Sequence, residues 1–160
     1  MSGIQGLTTA RWLALLIPAG LLGGAYIGQY AFDLYPCEMC WWQRWPHFAA
    51  LALAGIAFFP RKNLARWPVL LAAVAILLSG LIGGFHAGVE YGWWEGITSC
   101  TTTVAAGEGS YLDAIMNAPI VRCDQVQWSL FGISLAGYNF LISVAGAIAI
   151  FLLAAKGPSR

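Results

Sequence analysis

Two cysteines stand in a C-x-x-C spacing in Tyr35-Pro36-Cys37-Glu38-Met39-Cys40-Trp41-Trp42-Gln43-Arg44, and an arginine follows the second by four residues. A thiol in this spacing can be far more acidic than a free cysteine. The two sulfurs are also close enough in sequence to close a small, reducible disulfide. On a helix, Cys40 and Arg44 are i and i+4 and share a face. The cation and a nearby helix N-terminus would both favour a thiolate. A structural disulfide or half of a zinc site fits the same spacing. Pro46 weakens the shared-face argument: a helix begun before Cys40 loses the bond from position 46 to the Trp42 carbonyl, so it either starts nearer Trp42 or bends there.

Cys100 and Cys123 form a second, distant pair. A disulfide between them closes a loop of about 22 residues, which the chain-entropy model values at roughly 3 kcal/mol. A four-cysteine zinc site usually needs two close pairs, and this chain has one. His86 and Glu90 are i and i+4 at the end of an apolar run, either facing a polar cavity or forming an interfacial pair. His47 follows Arg44 by three and Cys40 by seven, either on their face or as an interfacial packing residue.

The elements that must position these groups are membrane helices. Of 160 residues, 59% are hydrophobic and 9% are charged, against about 25% charged in a soluble domain. A net charge of +1 with no basic tract gives no case for nucleic acid. Four apolar runs cover about 12–30, 41–59, 67–89 and 129–154, each near the roughly 20 residues that span a bilayer. The first run exceeds the h-region of a signal peptide and has no clear small-residue cleavage site, so it reads as a retained span. The fold class is an all-α membrane protein: one membrane domain over 1–160, a four-transmembrane-helix bundle with a short outer loop at 31–40 and a long one at 90–128.

Charge orients the bundle. Arg11, Arg61, Lys62, Arg66, Lys156 and Arg160 lie at one set of ends. Asp33, Glu38, Glu90, Glu95, Glu108, Asp113 and Asp124 lie at the other, joined only by Arg44 and Arg122. The positive-inside rule makes the first set cytoplasmic, with both termini, and puts all four cysteines outside. Trp12 and Trp67 mark inner ends; Trp41, Trp42, Trp45, Trp93, Trp94 and Trp128 mark outer ends, as an aromatic belt does. An even number of cysteines suits such an oxidising compartment. Within the long loop, Tyr111–Met116 reads either as a short helix on the outer leaflet or as irregular chain.

Four pieces together resemble the disulfide bond formation protein B family, DsbB: CEMCWWQR at 37–44, GFHAGVE at 84–90, the isolated Cys100, and CDQVQWSLFGISLAGYN at 123–139. The related vitamin K epoxide reductase family has the opposite order, with its C-x-x-C late. The resemblance implies a quinone-linked thiol oxidase of the bacterial inner membrane that reoxidises a periplasmic DsbA-like protein. It implies that Cys100 and Cys123 meet the reduced partner, and that Cys37 and Cys40 meet a membrane quinone (ubiquinone or menaquinone). It sets Arg44 and His86 near the quinone ring and matches Glu90 only as a neighbouring polar position; His47 is a further candidate there. No metal is expected. Two readings from other classes compete: a non-enzymatic membrane scaffold with two structural disulfides, and a zinc-binding membrane protein.

Overall fold

Helix α1 (Gly3–Ala31) continues past Pro18, whose side chain is fully buried. Its end is set by Asp33, at φ 54°, a left-handed conformation that a short polar side chain tolerates. There the Phe32 and Leu34 amides both return to the Gly28 carbonyl. The chain turns and delivers Cys37 as the N-cap of α2 (Glu38–Ile56). Helix α3 spans Arg66–Glu90 and α4 spans Leu135–Ala155. The computed structural model describes residues 3–59, 64–98, 101–102 and 120–155. Cys100 and the 111–116 segment lie outside the described residues.

α2 and α4 each flank α3, and α1 closes the ring by packing on α4 and α2. α1, α3 and α4 are long and apolar enough to cross a membrane, which makes the chain a multi-pass membrane protein. α2 falls short of that test by composition, because its first half carries Glu38, Gln43, Arg44 and His47. Leu71, Val74, Leu78 and Leu81 form an exposed apolar stripe on α3, and Leu141, Ile148 and Leu152 do the same on α4. Such outward apolar rows suit lipid, not water.

Of the two alternatives at Pro46, a start nearer Trp42 is ruled out: α2 begins at Glu38 and carries Pro46 inside it. The cost of proline is local, and the next carbonyl, that of Gln43, gains the Ser79 hydroxyl as a donor at 2.8 Å. The expected fourth span at 129–154 starts as helix only at Leu135. Before it, β3 (Ser129–Leu130) pairs antiparallel with β4 (Ile133–Ser134). Phe131 at φ 50° and Gly132 at φ 77° form the two-residue turn, whose hand matches the strand twist. The Ser134 hydroxyl then accepts from the Gly137 amide at 3.1 Å and caps α4. A second small ladder pairs β1 (Thr101–Thr102) with β2 (Ile120–Val121).

The bundle has two interiors. At one end lie Ala10, Ala14, Ala50, Ala54, Ala72, Ala73, Ala147 and Ala154, with Val69, Ile76 and Ile150. At the cysteine end lie Cys37, Met39, Val89, Val121 and Cys123. Between them runs a layer of buried polar side chains.

Candidate functional site

The cysteine pair sits where α2 starts. Cys37 Sγ accepts from the Cys40 backbone amide at 3.3 Å, using the sulfur as a helix cap. The two sulfurs are 2.9 Å apart, so closing a disulfide of about 2.05 Å needs under an ångström of motion. Both precede the apolar run 41–59. The proton they share stays on Cys37. Donating it to Cys40, with burial adding to the effect, holds the Cys37 thiol far above the ordinary cysteine range. Accepting that bond draws Cys40 below the range against its own burial, and the Arg44 charge adds to the lowering. Cys40 is therefore the more acidic thiol of the pair.

Arg44 is one turn further along α2 and is buried. Its guanidinium donates to Gln29 Oε1 at 2.7 Å and to the Ala25 carbonyl at 3.4 Å. It lies 4.9 Å from the Tyr26 ring centroid and 5.0 Å from that of Trp41. Among the described residues no carboxylate pairs with it. Neutral acceptors and ring faces position the cation without cancelling its charge.

His86 reaches in from α3. Its Nε2 is 3.6 Å from Cys37 Sγ and 3.8 Å from Glu90 Oε1, so the i,i+4 pair does face the cysteines. Its Nδ1 faces Gln43 Nε2 at 2.9 Å. His47 is turned differently: its Nε2 meets Asn139 Oδ1 on α4 at 2.9 Å. Asn139 also donates to Gln43 Oε1 at 2.8 Å and to the Ser79 carbonyl and hydroxyl at 3.2 Å, while Ser143 donates to Asn139 Oδ1 at 2.9 Å.

A cavity of about 250 Å³ opens beside these groups. Cys37, Cys40, Gln43, Arg44, His47, His86, Glu90 and Asn139 line it, and α1 supplies Gly20 and Gly24. A Cβ at either glycine would meet nothing within 4 Å, so their bareness leaves room at that wall. An apolar recess with a few converging polar groups is the usual form of a small-molecule site.

All the sequence-predicted site residues within the described part therefore gather: Cys37, Cys40, Arg44, His47, His86, Glu90, and Cys123, which is buried in the Cys37 cluster. Cys100 lies outside the described residues. Cys37, Cys40 and His86 also bring three possible metal ligand atoms within 4.8 Å of one another. Gln43, Asn139, Ser79 and Ser143 were missed. The available signal was their polarity inside apolar runs, with Asn139 and Ser143 at helical i,i+4 spacing.

The comparisons with known proteins agree with this geometry. The family model described as "Disulfide bond formation protein DsbB" matches residues 8–153. A disulfide bond formation protein B of Aromatoleum aromaticum is 30% identical over 162 residues, covering 93% of this chain and 94% of the relative. One of Hahella chejuensis is 28% identical over 162 residues, covering 91% and 92%. An uncharacterized protein of Rickettsia prowazekii, RP370, is 27% identical over 135 residues, covering 82% and 77%. No solved structure is a significant match. A match over nearly the whole chain, on a helical membrane protein with its C-x-x-C pair lining a cavity, means that the chain belongs to the DsbB family of disulfide bond formation proteins.

Proposed function

We propose that this chain is a protein-dithiol:quinone oxidoreductase of the bacterial inner membrane. Four spans, with α2 as the second, set both termini in the cytoplasm and the cysteines in the periplasm. The cation-rich ends and acid-rich ends support that orientation. A reduced DsbA-like partner gives two electrons and two protons to the Cys100–Cys123 disulfide and leaves oxidised. Cys100 and Cys123 pass them to the Cys37–Cys40 disulfide. Cys37 and Cys40 pass them to a membrane quinone, ubiquinone or menaquinone, which leaves as hydroquinone. The bonds and charges balance at each exchange.

The observation that carries the reading is Arg44: a buried cation without a carboxylate partner among the described residues, beside the more acidic cysteine, on the wall of a cavity. A charge held that way stabilises electron-rich atoms that come and go. Cys40 and Arg44 would address the quinone from α2, His86 from α3, with His47 and Glu90 flanking it; the bare glycine wall of α1 would admit the ring. The thermodynamics agree with a terminal acceptor of this kind. A DsbA-like oxidant sits near −120 mV, and each 30 mV of mismatch costs about 1.4 kcal/mol for two electrons, so a protein disulfide without a stronger acceptor behind it is poorly matched to the task.

The test is thiol titration of purified protein. The fully reduced chain should lose two thiols for each short-chain quinone added and regain them on addition of a reduced DsbA-like protein. Thiols that ignore quinone would leave the scaffold reading, and four thiols protected by stoichiometric zinc would leave the metal reading.

A further inference from the structure

Two backbone carbonyls determine which way the buried amides face. A carbonyl oxygen only accepts. The Met39 carbonyl lies 3.1 Å from one end of the Gln43 amide, so that end is the nitrogen. The Ser79 carbonyl lies 3.2 Å from one end of the Asn139 amide, so that end is also the nitrogen. Reversing Asn139 would set oxygen against oxygen twice, at Ser79 and at Gln43 Oε1. These orientations then dictate the rings. Gln43 Nε2 is a donor, so His86 Nδ1, at 2.9 Å, accepts and the proton of the neutral ring is on Nε2. Asn139 Oδ1 is an acceptor, so His47 Nε2, at 2.9 Å, carries its proton and Nδ1 is bare. His47 Nδ1 is buried and has no hydrogen-bond partner among the described residues.

The two histidines therefore hold the same tautomer but offer opposite groups. His86 presents an N–H toward Cys37 and Glu90. His47, on the cavity wall, has a lone pair left to offer. We propose that Gln43 and Asn139 are positioning residues of the redox site: the pinned Gln43 amide makes His86 a hydrogen-bond donor, and the pinned Asn139 amide makes His47 an acceptor. Resting on the quinone reading above, this gives the site one donor for a quinone oxygen or thiolate and, just behind the cavity wall, a buried acceptor. The same arrangement argues against metal. An imidazole that binds metal through Nε2 normally donates its Nδ1–H to an acceptor, and here Nδ1 faces an amide N–H.

The experiment is nitrogen NMR of histidine-labelled, reduced protein in micelles without quinone, with His47→Gln and His86→Gln used for assignment. In the wild type both rings should show a protonated Nε2 and a bare Nδ1. Asn139→Leu should scramble the His47 ring, remove the bond to Gln43 Oε1 and lower quinone-dependent turnover about 100-fold, the lower end for a misplaced acid–base group. Gln43→Glu puts an acceptor opposite His86 and should move its proton to Nδ1, leaving His47 unchanged. Ser143→Ala, which removes one bond to Asn139 Oδ1, should alter neither ring. Protonated Nδ1 in either wild-type ring, an Asn139→Leu protein with an unaltered His47 ring, or zinc bound through His86 Nε2 would overturn the proposal. If Asn139→Leu does not fold, the wild-type and Gln43→Glu spectra still decide it. Because the rings are read without quinone, failure of the quinone reading leaves a separate signature: correct tautomers and thiols that quinone does not oxidise.

Discussion

Gln43 and Ala54 lie on the same face of α2, about three turns apart, and both are buried. Around Ala54 the helices meet through alanine, valine and isoleucine. Around Gln43 they meet through amides, imidazoles and hydroxyls. In lipid the apolar half gains little from hiding hydrocarbon, since acyl chains are as apolar as leucine; it holds by close packing of small residues. That attraction has no direction and tolerates small rotations. The polar half is directional. Gln43, His47, Ser79, His86 and Asn139 each have a partner on another helix, so a helix that rotates breaks several bonds together. The apolar half thus holds the helices near one another, and the polar half fixes how each is turned, which is what a site drawing residues from four helices requires.

Gly83→Ala should have the largest effect. The new Cβ would lie 2.9 Å from Asn139 Nδ2 and 3.0 Å from both the Ala136 carbonyl and Gln43 Oε1. Backbone cannot yield easily, so α3 and α4 must separate and the amide pair must break. Overpacking plus lost interhelical bonds costs about 2–4 kcal/mol, read by detergent-titrated unfolding in mixed micelles. Turnover should fall with stability, because the same amides orient His86. A variant of wild-type turnover would mean that the polar layer is only structural.

Ile76→Ala tests the other half. Ile76 is completely buried among the alanines of α2, α3 and α4. In water such a truncation costs about 2–5 kcal/mol; in lipid the transfer part is small and the void part remains, so about 1–3 kcal/mol is expected. The same unfolding assay should record the loss while turnover per folded molecule stays at the wild-type value. A fall in turnover comparable to that of Gly83→Ala would erase the division of labour between the halves.

This division also marks what the sequence reveals. Apolar runs locate α1, α3 and most of α2 to within a few residues at the cysteine end, because length and hydropathy are local properties. The C-x-x-C, Arg44, and the His86–Glu90 spacing are legible for the same reason. Asn139 is not. Its partners Gln43, Ser79 and His47 are 96, 60 and 92 residues away, and although Asn139 and Gln43 stand inside the two longest family motifs, a neutral amide carries no charge to say what it pairs with. The hairpin at 129–134 is hidden by its own composition, since Leu130, Phe131 and Ile133 extend the apolar run that becomes α4. Only the Phe131-Gly132 turn separates the two, and it needs a left-handed phenylalanine that no propensity would suggest.

Gly55→Ala should have the smallest effect, with the opposite sign. Gly55 occupies the last turn of α2, beyond the polar layer. An added Cβ would meet nothing within 4 Å. What remains is backbone entropy: a helical glycine is roughly 0.5–1 kcal/mol worse than alanine, and fraying at the helix end should bring the gain toward the lower figure. The variant should therefore unfold at the same or slightly higher detergent fraction than wild type, with unchanged thiol oxidation. Its value lies in the pairing with Gly83→Ala, which makes the same chemical change on a neighbouring helix. If both glycines resist alanine equally, helix flexibility and not the crowded amide layer explains the Gly83 result. If only Gly83 does, the cost belongs to the contact with Asn139, Ala136 and Gln43.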